Sequence, residues 1–291
     1  MNDRSPSLSP LLGSLLAVLY MTGVLQAQVP DRPGTLLFAV TTPDATHTSY
    51  LFGTHHAFGE SFLEGLPVVK EKLFSCEALI VETTVPANAL INARTSTTDW
   101  TRYLGKADLA YVRELFAAGN VDLDRLTPPE LHATLMRYHN MRVCGARQPT
   151  DTASTLDGLF VALATEHGME LTGLESAAEQ LELMNKDVEG MPRKVHKRRL
   201  QAAVQHIRSG STAGCTEVER YGRLDWDLRL GEPCGNALML TDRNARWMPV
   251  LVNALSDHPT FVAVGLSHLM FACGLIEQLR GQGFRVVPVP L

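Results

Sequence analysis

Two segments place a histidine three residues after a glycine at the end of an apolar run. They are Tyr50-Leu51-Phe52-Gly53-Thr54-His55-His56 and Phe261-Val262-Ala263-Val264-Gly265-Leu266-Ser267-His268. Each is followed by a helical pattern and a further apolar run, so both read strand, Gly-x-x-His, helix, strand. A glycine there is expected to let the chain turn sharply, aiming the imidazole back across the strand ends. Two other short apolar runs end in a glutamate: Ala78-Leu79-Ile80-Val81 before Glu82, and Leu171-Thr172-Gly173-Leu174 before Glu175.

Neutral imidazoles are good ligands for borderline divalent metals, and a carboxylate completes a three-donor set with open positions. His56, His268 and Glu82 match that description, and such a metal hydrolyses acyl bonds by activating water and polarising a carbonyl. Glu175 is the expected proton carrier. Arg243, beside Asn244 at the start of a helix through Trp247, is expected to stabilise an oxyanion or hold a substrate carboxylate. The plainer readings are a helix N-terminal carboxylate for Glu175 and an ion pair for Arg243. His55 is expected to turn away or to support its neighbour. His132, His139, His167, His196, His206 and His258 show no partners in the pattern and receive no role. There is no H-E-x-x-H helix, phosphate loop or G-x-G-x-x-G, and Leu269 stands where a G-x-S-x-G elbow around Ser267 needs its last glycine.

The elements that must carry these residues can be read from periodicity. Thr35 to Val40 and Ser49 to Phe52 read as a hairpin, and Glu64 to Phe74 as a helix before the Ala78 strand. Helical patterns run from Asp108 to Arg142, with Pro128-Pro129 opening a second helix, and from Leu156 to His167, with Gly168 as the stop. After the Glu170 to Leu174 strand, Ser176 and Glu179 form a capping box. Further helices are expected at Ala177 to Asn185, Lys194 to Arg208, Asn236 to Leu255 and Gly274 to Arg280, with a final strand at Phe284 to Val289. The basic group Arg193, Lys194, Lys197, Arg198 and Arg199 could attract an anion, but a solvated helix face accounts for it as well. The expected fold is α+β, with the two pseudo-repeated units forming a central sheet region and a helical insert between them.

Residues 1–27 are set apart. Arg4 precedes an uncharged, mostly apolar stretch from Leu11 to Leu25 and a small residue, Ala27, suited to signal cleavage. A stretch of about fifteen residues falls short of the roughly 20 that span a bilayer, so export to the periplasm or medium is expected, with no stable membrane insertion afterwards. Residues 28–291 then form a single domain. A net charge of −5 and a pI near 6.1 argue against nucleic acid as a partner. The five cysteines leave at least one unpaired within the chain. Cys215 and Cys234 bracket a polar excursion and are expected to bridge, the alternative being that all five are small buried hydrophobes.

As an ordered set, these motifs resemble the TraB/GumN family, which includes the Tiki proteases and is related to erythromycin esterases and haem-binding ChaN-like proteins. The carriers are Tyr50 to His56, Ala78 to Thr83, Leu174-Glu175 with Gln180, Thr241-Asp242-Arg243-Asn244 with Trp247, and Phe261 to Leu269. The resemblance implies an α+β fold with a metal-dependent hydrolytic site at His56, Glu82 and His268, joined by Glu175 and Arg243. It implies a divalent metal ion such as Mn, Co or Zn and a peptide or protein substrate. The related haem binders leave a second reading open, a haem- or metal-binding module without turnover. The family's Gly-rich turn after the second motif is replaced here by the bulky Met270-Phe271-Ala272-Cys273 before Gly274.

Overall fold

A computed structural model of the protein describes residues 32–42, 44, 46–152 and 155–291. The expected leader at 1–27 lies outside the described residues, as does Pro43 of the first turn. The hairpin forms from β1 (Leu37–Thr41) and β2 (Thr48–Thr54), antiparallel with Leu37 opposite Phe52. The helix expected at 64–74 is divided: α1 (Glu60–Glu64) ends before Gly65, and α2 (Pro67–Phe74) starts afresh at Pro67, whose ring suits a first helical turn. The chain then runs through β3 (Ala78–Val81), α3 (Asn88–Asn92), α4 (Lys106–Phe116) and α5 (Pro128–Arg142). A Thr127–Glu130 capping box starts α5. Next come α6 (Leu156–Glu166), β4 (Glu170–Gly173), α7 (Ala177–Lys186), α8 (Arg193–Ser209) and α9 (Thr216–Gly222). The expected Ser176–Glu179 box caps α7, and Gly168 takes a left-handed φ of 66° after α6.

The helix expected from Asn236 begins instead as a wide π turn, Ala237–Thr241, before α10 (Asp242–Asp257). Asn236 accepts a hydrogen bond from the Met239 backbone N–H, capping that turn. β5 (Thr260–Gly265), α11 (Leu275–Gly281) and β6 (Arg285–Pro288) complete the chain.

The fold is α+β, built on one mixed six-stranded sheet in the order β4-β3-β5-β2-β1-β6. β4, β3, β5 and β2 are mutually parallel. β1 is antiparallel to both β2 and β6. Every residue of β3 is buried, and so is all of β5 but its last, as expected for parallel strands covered on both faces. Phe52, Phe160 and Phe261 meet there with ring centroids 5.5 to 6.4 Å apart. A second cluster of buried side chains, including Trp100, Leu131, Leu135, Leu200 and Val204, forms the centre of the helical insert. The basic residues of α8 sit on the helix whose opposite face buries Leu200, Ala203, Val204 and Ile207. Among the described residues, no helix is long and apolar enough to cross a membrane.

The expected Cys215–Cys234 bridge is not the one formed. Cys144 pairs with Cys215 and Cys234 with Cys273, leaving Cys76 free and buried. Nearness in sequence misled here, because α9 carries the chain away from Cys215 and the strand-following turn at 270–274 brings Cys273 to Cys234.

Candidate functional site

Four side chains of interest each follow a different parallel strand. His56 comes after β2, His268 after β5, Glu82 after β3 and Glu175 after β4. The carboxyl ends of adjacent parallel strands form the usual ligand crevice of such sheets. The β3–β4 pairing continues past the strands, with Leu174 N–H bonded to Val81 O and Glu175 N–H to Glu82 O, so the two glutamates stand side by side.

The glycines of the two Gly-x-x-His motifs do not serve the sharp turn expected of them, since neither has a positive φ. They permit close approach. A Cβ on Gly53 would lie 2.6 Å from the Leu266 side chain and 3.2 Å from its Cα. On Gly265 it would lie 3.0 Å from Glu82 Oε1. The two units also differ locally: Gly53 lies inside β2, whereas Gly265 ends β5 and a 3-10 turn, Leu266–His268, follows.

Arg243 is the hub of the crevice. Its Nε donates to Glu175 Oε2 at 3.1 Å, and Nη2 donates to Glu82 Oε2 at 2.7 Å and also to Glu175 Oε1. Nη1 donates to His268 Nε2 at 3.0 Å and to the Met239 carbonyl at 3.4 Å. All five N–H groups of the guanidinium are thereby directed at protein acceptors. The group also lies over Trp247, 4.8 Å from the ring centroid, in cation–π contact.

Glu82 is held from several sides, with the Gly265 backbone N–H on Oε1 at 2.7 Å and the Gln180 amide on Oε2 at 3.2 Å. Burial alone would push its carboxyl up, but the neighbouring Arg243 guanidinium holds it below the usual carboxylate range. His268 is 2% exposed. Its Nδ1 donates to Asn244 Oδ1 at 2.6 Å, which assigns the lone pair to Nε2, and Arg243 donates to that atom. Burial, helped by the neighbouring Arg243 charge, lowers its pKa to about 4, so the ring is neutral at pH 7. Asn244 also donates to the carbonyls of His268 and Cys273. Phe271, in the bulky turn after the second motif, adopts φ 67°, and the Cys234–Cys273 bridge ties the same turn down.

His56 sits apart from this hub. Its Nδ1 donates to Asp157 Oδ2 at 2.9 Å, and Thr54 Oγ1 donates to Asp157 Oδ1 at 2.7 Å. The Asp157 carboxylate raises the His56 pKa to about 9. With Nδ1 engaged and 60% of the side chain exposed, Nε2 is the atom left to act. His55 turns away, stacking near Phe58 and Tyr221 and accepting the Ala57 N–H, and burial lowers its pKa to about 4. Asp157 escapes sequence reading because an acid in the first turn of a helix capped by Thr155 looks like ordinary helix-start chemistry.

The chain can now be placed among known proteins. The model of the TraB/PrgY/gumN family matches residues 36–288. The chain belongs to that family. Neither the curated proteins nor the solved structures showed a match.

For a metal, the donors in this TraB-family crevice fit in pairs. His268 Nε2 and Glu82 Oε1 are 3.7 Å apart, close to the roughly 3.4 Å edge between two ligands of a tetrahedral ion bound at about 2.1 Å. Glu82, Glu175 and His268 already surround one cation, the guanidinium, which shows that the donor set suits positive charge. His56 is not gathered with them: among the described residues, the one group of three ligand-type side chains whose atoms all lie within 4.8 Å of one another is His139, Cys144 and Cys215. That group lies at the end of α5 and the start of α9, neither of which carries a crevice residue, and its two sulfurs are joined.

Proposed function

We propose that the chain is an exported, metal-dependent hydrolase acting on peptide bonds in the crevice at the ends of β2, β5, β3 and β4. The observation that supports this reading is the convergence of Glu82, Glu175 and His268, from three different strands, on one buried guanidinium beside an Asp157-oriented histidine. Buried charge on this scale is costly to assemble and is concentrated at functional sites.

His268 and Glu82 would hold a divalent ion such as Mn, Co or Zn once the Arg243 Nη1–H that takes the His268 Nε2 lone pair is displaced, with His56 of the adjacent strand as the third donor, and the ion would supply a Lewis acid for a substrate carbonyl. Asn244 keeps His268 in the tautomer that presents Nε2. Arg243 and Glu175 are positioning residues, because their polar atoms are spent on each other and on Glu82 and His268. Asp157 fixes the Nδ1–H tautomer of His56, leaving the Nε2 lone pair for the ion. The two disulfides suit an oxidising compartment, in keeping with export to the periplasm or medium.

The test is metal content by mass spectrometry together with hydrolysis of a peptide library, comparing wild type with His56→Ala and His268→Ala. The reading expects co-purifying or restorable metal, cleavage that a chelator abolishes, and loss of both metal and cleavage in His268→Ala. A Soret band with no cleavage would replace it with the haem-binding reading, and full cleavage by metal-free protein would remove the metal.

A further inference from the structure

His139, given no role by the sequence pattern, is fully buried at the end of α5. Its Nε2 donates to the Ser211 carbonyl at 2.7 Å. That bond places the ring proton on Nε2 and the lone pair on Nδ1, which faces Cys144 Sγ at 3.6 Å. A carbonyl on the far nitrogen is the arrangement that orients metal-binding imidazoles. With metal–sulfur and metal–nitrogen bonds of about 2.3 and 2.05 Å, the edge of a tetrahedral site between the two donors is about 3.6 Å. Cys144 Sγ and His139 Nδ1 already have that spacing, and Cys215 Sγ lies within 4.8 Å of both.

We infer that when the Cys144–Cys215 bridge is reduced, Cys144, Cys215 and His139 form a binding site for a thiophilic divalent cation such as zinc. The site lies in the helical insert and is independent of the hydrolytic reading of the crevice. A dithiol donor supplies two electrons and two protons, becoming a disulfide as the bridge becomes two thiols. The cation then replaces the two thiol protons, which leave to solvent, and the imidazole joins through Nδ1 without losing a proton. Opening the sulfurs from a bond of about 2 Å to a ligand edge of about 3.8 Å needs only side-chain rotation. Cys144 is half-buried, so solvent can fill the fourth position.

The experiment titrates cobalt(II) into the folded full chain after reduction by a water-soluble phosphine, reading the thiolate-to-cobalt charge-transfer band. The band is expected in reduced wild type and in reduced Cys234→Ser/Cys273→Ser, and not in oxidised protein or in reduced Cys144→Ser/Cys215→Ser. His139→Ala is expected to weaken binding at least tenfold. Cobalt K-edge absorption on reduced wild type reads the donor set directly and does not depend on how that variant folds; two sulfurs and an imidazole are expected. No band in the reduced folded chain, a band undiminished in Cys144→Ser/Cys215→Ser, an equal band in urea-unfolded chain, or a donor set lacking imidazole would each overturn the site.

Discussion

Replacing Arg243 by methionine keeps most of the aliphatic stem and removes both the cation over Trp247 and every donor that Arg243 brings to the hub. Arg243 is 6% exposed and Glu82 7%, and the Glu175 side chain is 3% exposed, so neither carboxylate can turn to water for compensation. Glu82 keeps the Gly265 N–H and the Gln180 amide, whereas Glu175 loses both of the arginine bonds that pair it. Breaking a buried ion pair by deleting one partner costs about 3–5 kcal/mol. At about 2–4 °C per kcal/mol for a domain of this size, Tm at pH 7 should fall by roughly 6–20 °C.

The pH dependence carries a sign that a simple packing defect lacks. In wild type, Glu82 is held below its ordinary range, so its contribution is present above the unfolded pKa and is lost as pH falls through the folded value. Without the guanidinium, burial acts with less opposition, and the Glu82 carboxyl is expected above its unfolded value. Protonation then favours the fold, and the Tm deficit of Arg243→Met should shrink between pH 7 and pH 5. Glu82→Gln should be destabilising alone but restorative in the Arg243→Met background, a coupling that a double-mutant cycle reads directly. The assay is calorimetry of the four proteins across that pH range. A fall below 2 °C at pH 7, or a deficit that does not narrow towards pH 5, would refute the hub.

Other outcomes follow from the same geometry. Asp157→Asn removes a carboxylate 2.9 Å from His56 Nδ1; because the imidazole is 60% exposed, a water-like dielectric gives about 1.4 kcal/mol, so NMR titration of metal-free protein should show its pKa falling by at least one unit. The raised wild-type value means this pair stabilises the fold below pH 6.5 and ceases to do so as pH rises towards about 9, a dependence that calorimetry should find missing in Asp157→Asn. Gly265→Ala has an acceptable φ of −51° but crowds Glu82 Oε1, so it should lower the proposed hydrolysis while circular dichroism stays native. Cys144→Ala/Cys215→Ala opens a 71-residue loop, for which chain entropy gives about 4 kcal/mol, measurable by denaturant melts.

Much of the crevice was legible because its parts are local. Apolar runs ending in Glu82 and Glu175, the two Gly-x-x-His segments, the Ser176–Glu179 box and the Pro128 helix start all lie within a few residues of chain, where periodicity and capping chemistry operate. Asp157 was not legible, since it meets His56 across 101 residues and carries the ordinary signature of a helix first turn. His139 was passed over because, although Cys144 is only five residues on, Ser211 and Cys215 lie on a distant stretch that only packing brings to it.

By itself, then, the sequence determined which residues end strands, which faces are apolar, and which polar groups stand at the sheet's carboxyl edge. The strand order β4-β3-β5-β2-β1-β6, the pairing of cysteines, the reason for the two glycines and the role of Arg243 as a buried hub belonged to tertiary structure alone. The physical reason is that side-chain periodicity sets which face of an element is covered, whereas the identity of the neighbour covering it depends on packing between segments far apart in the chain.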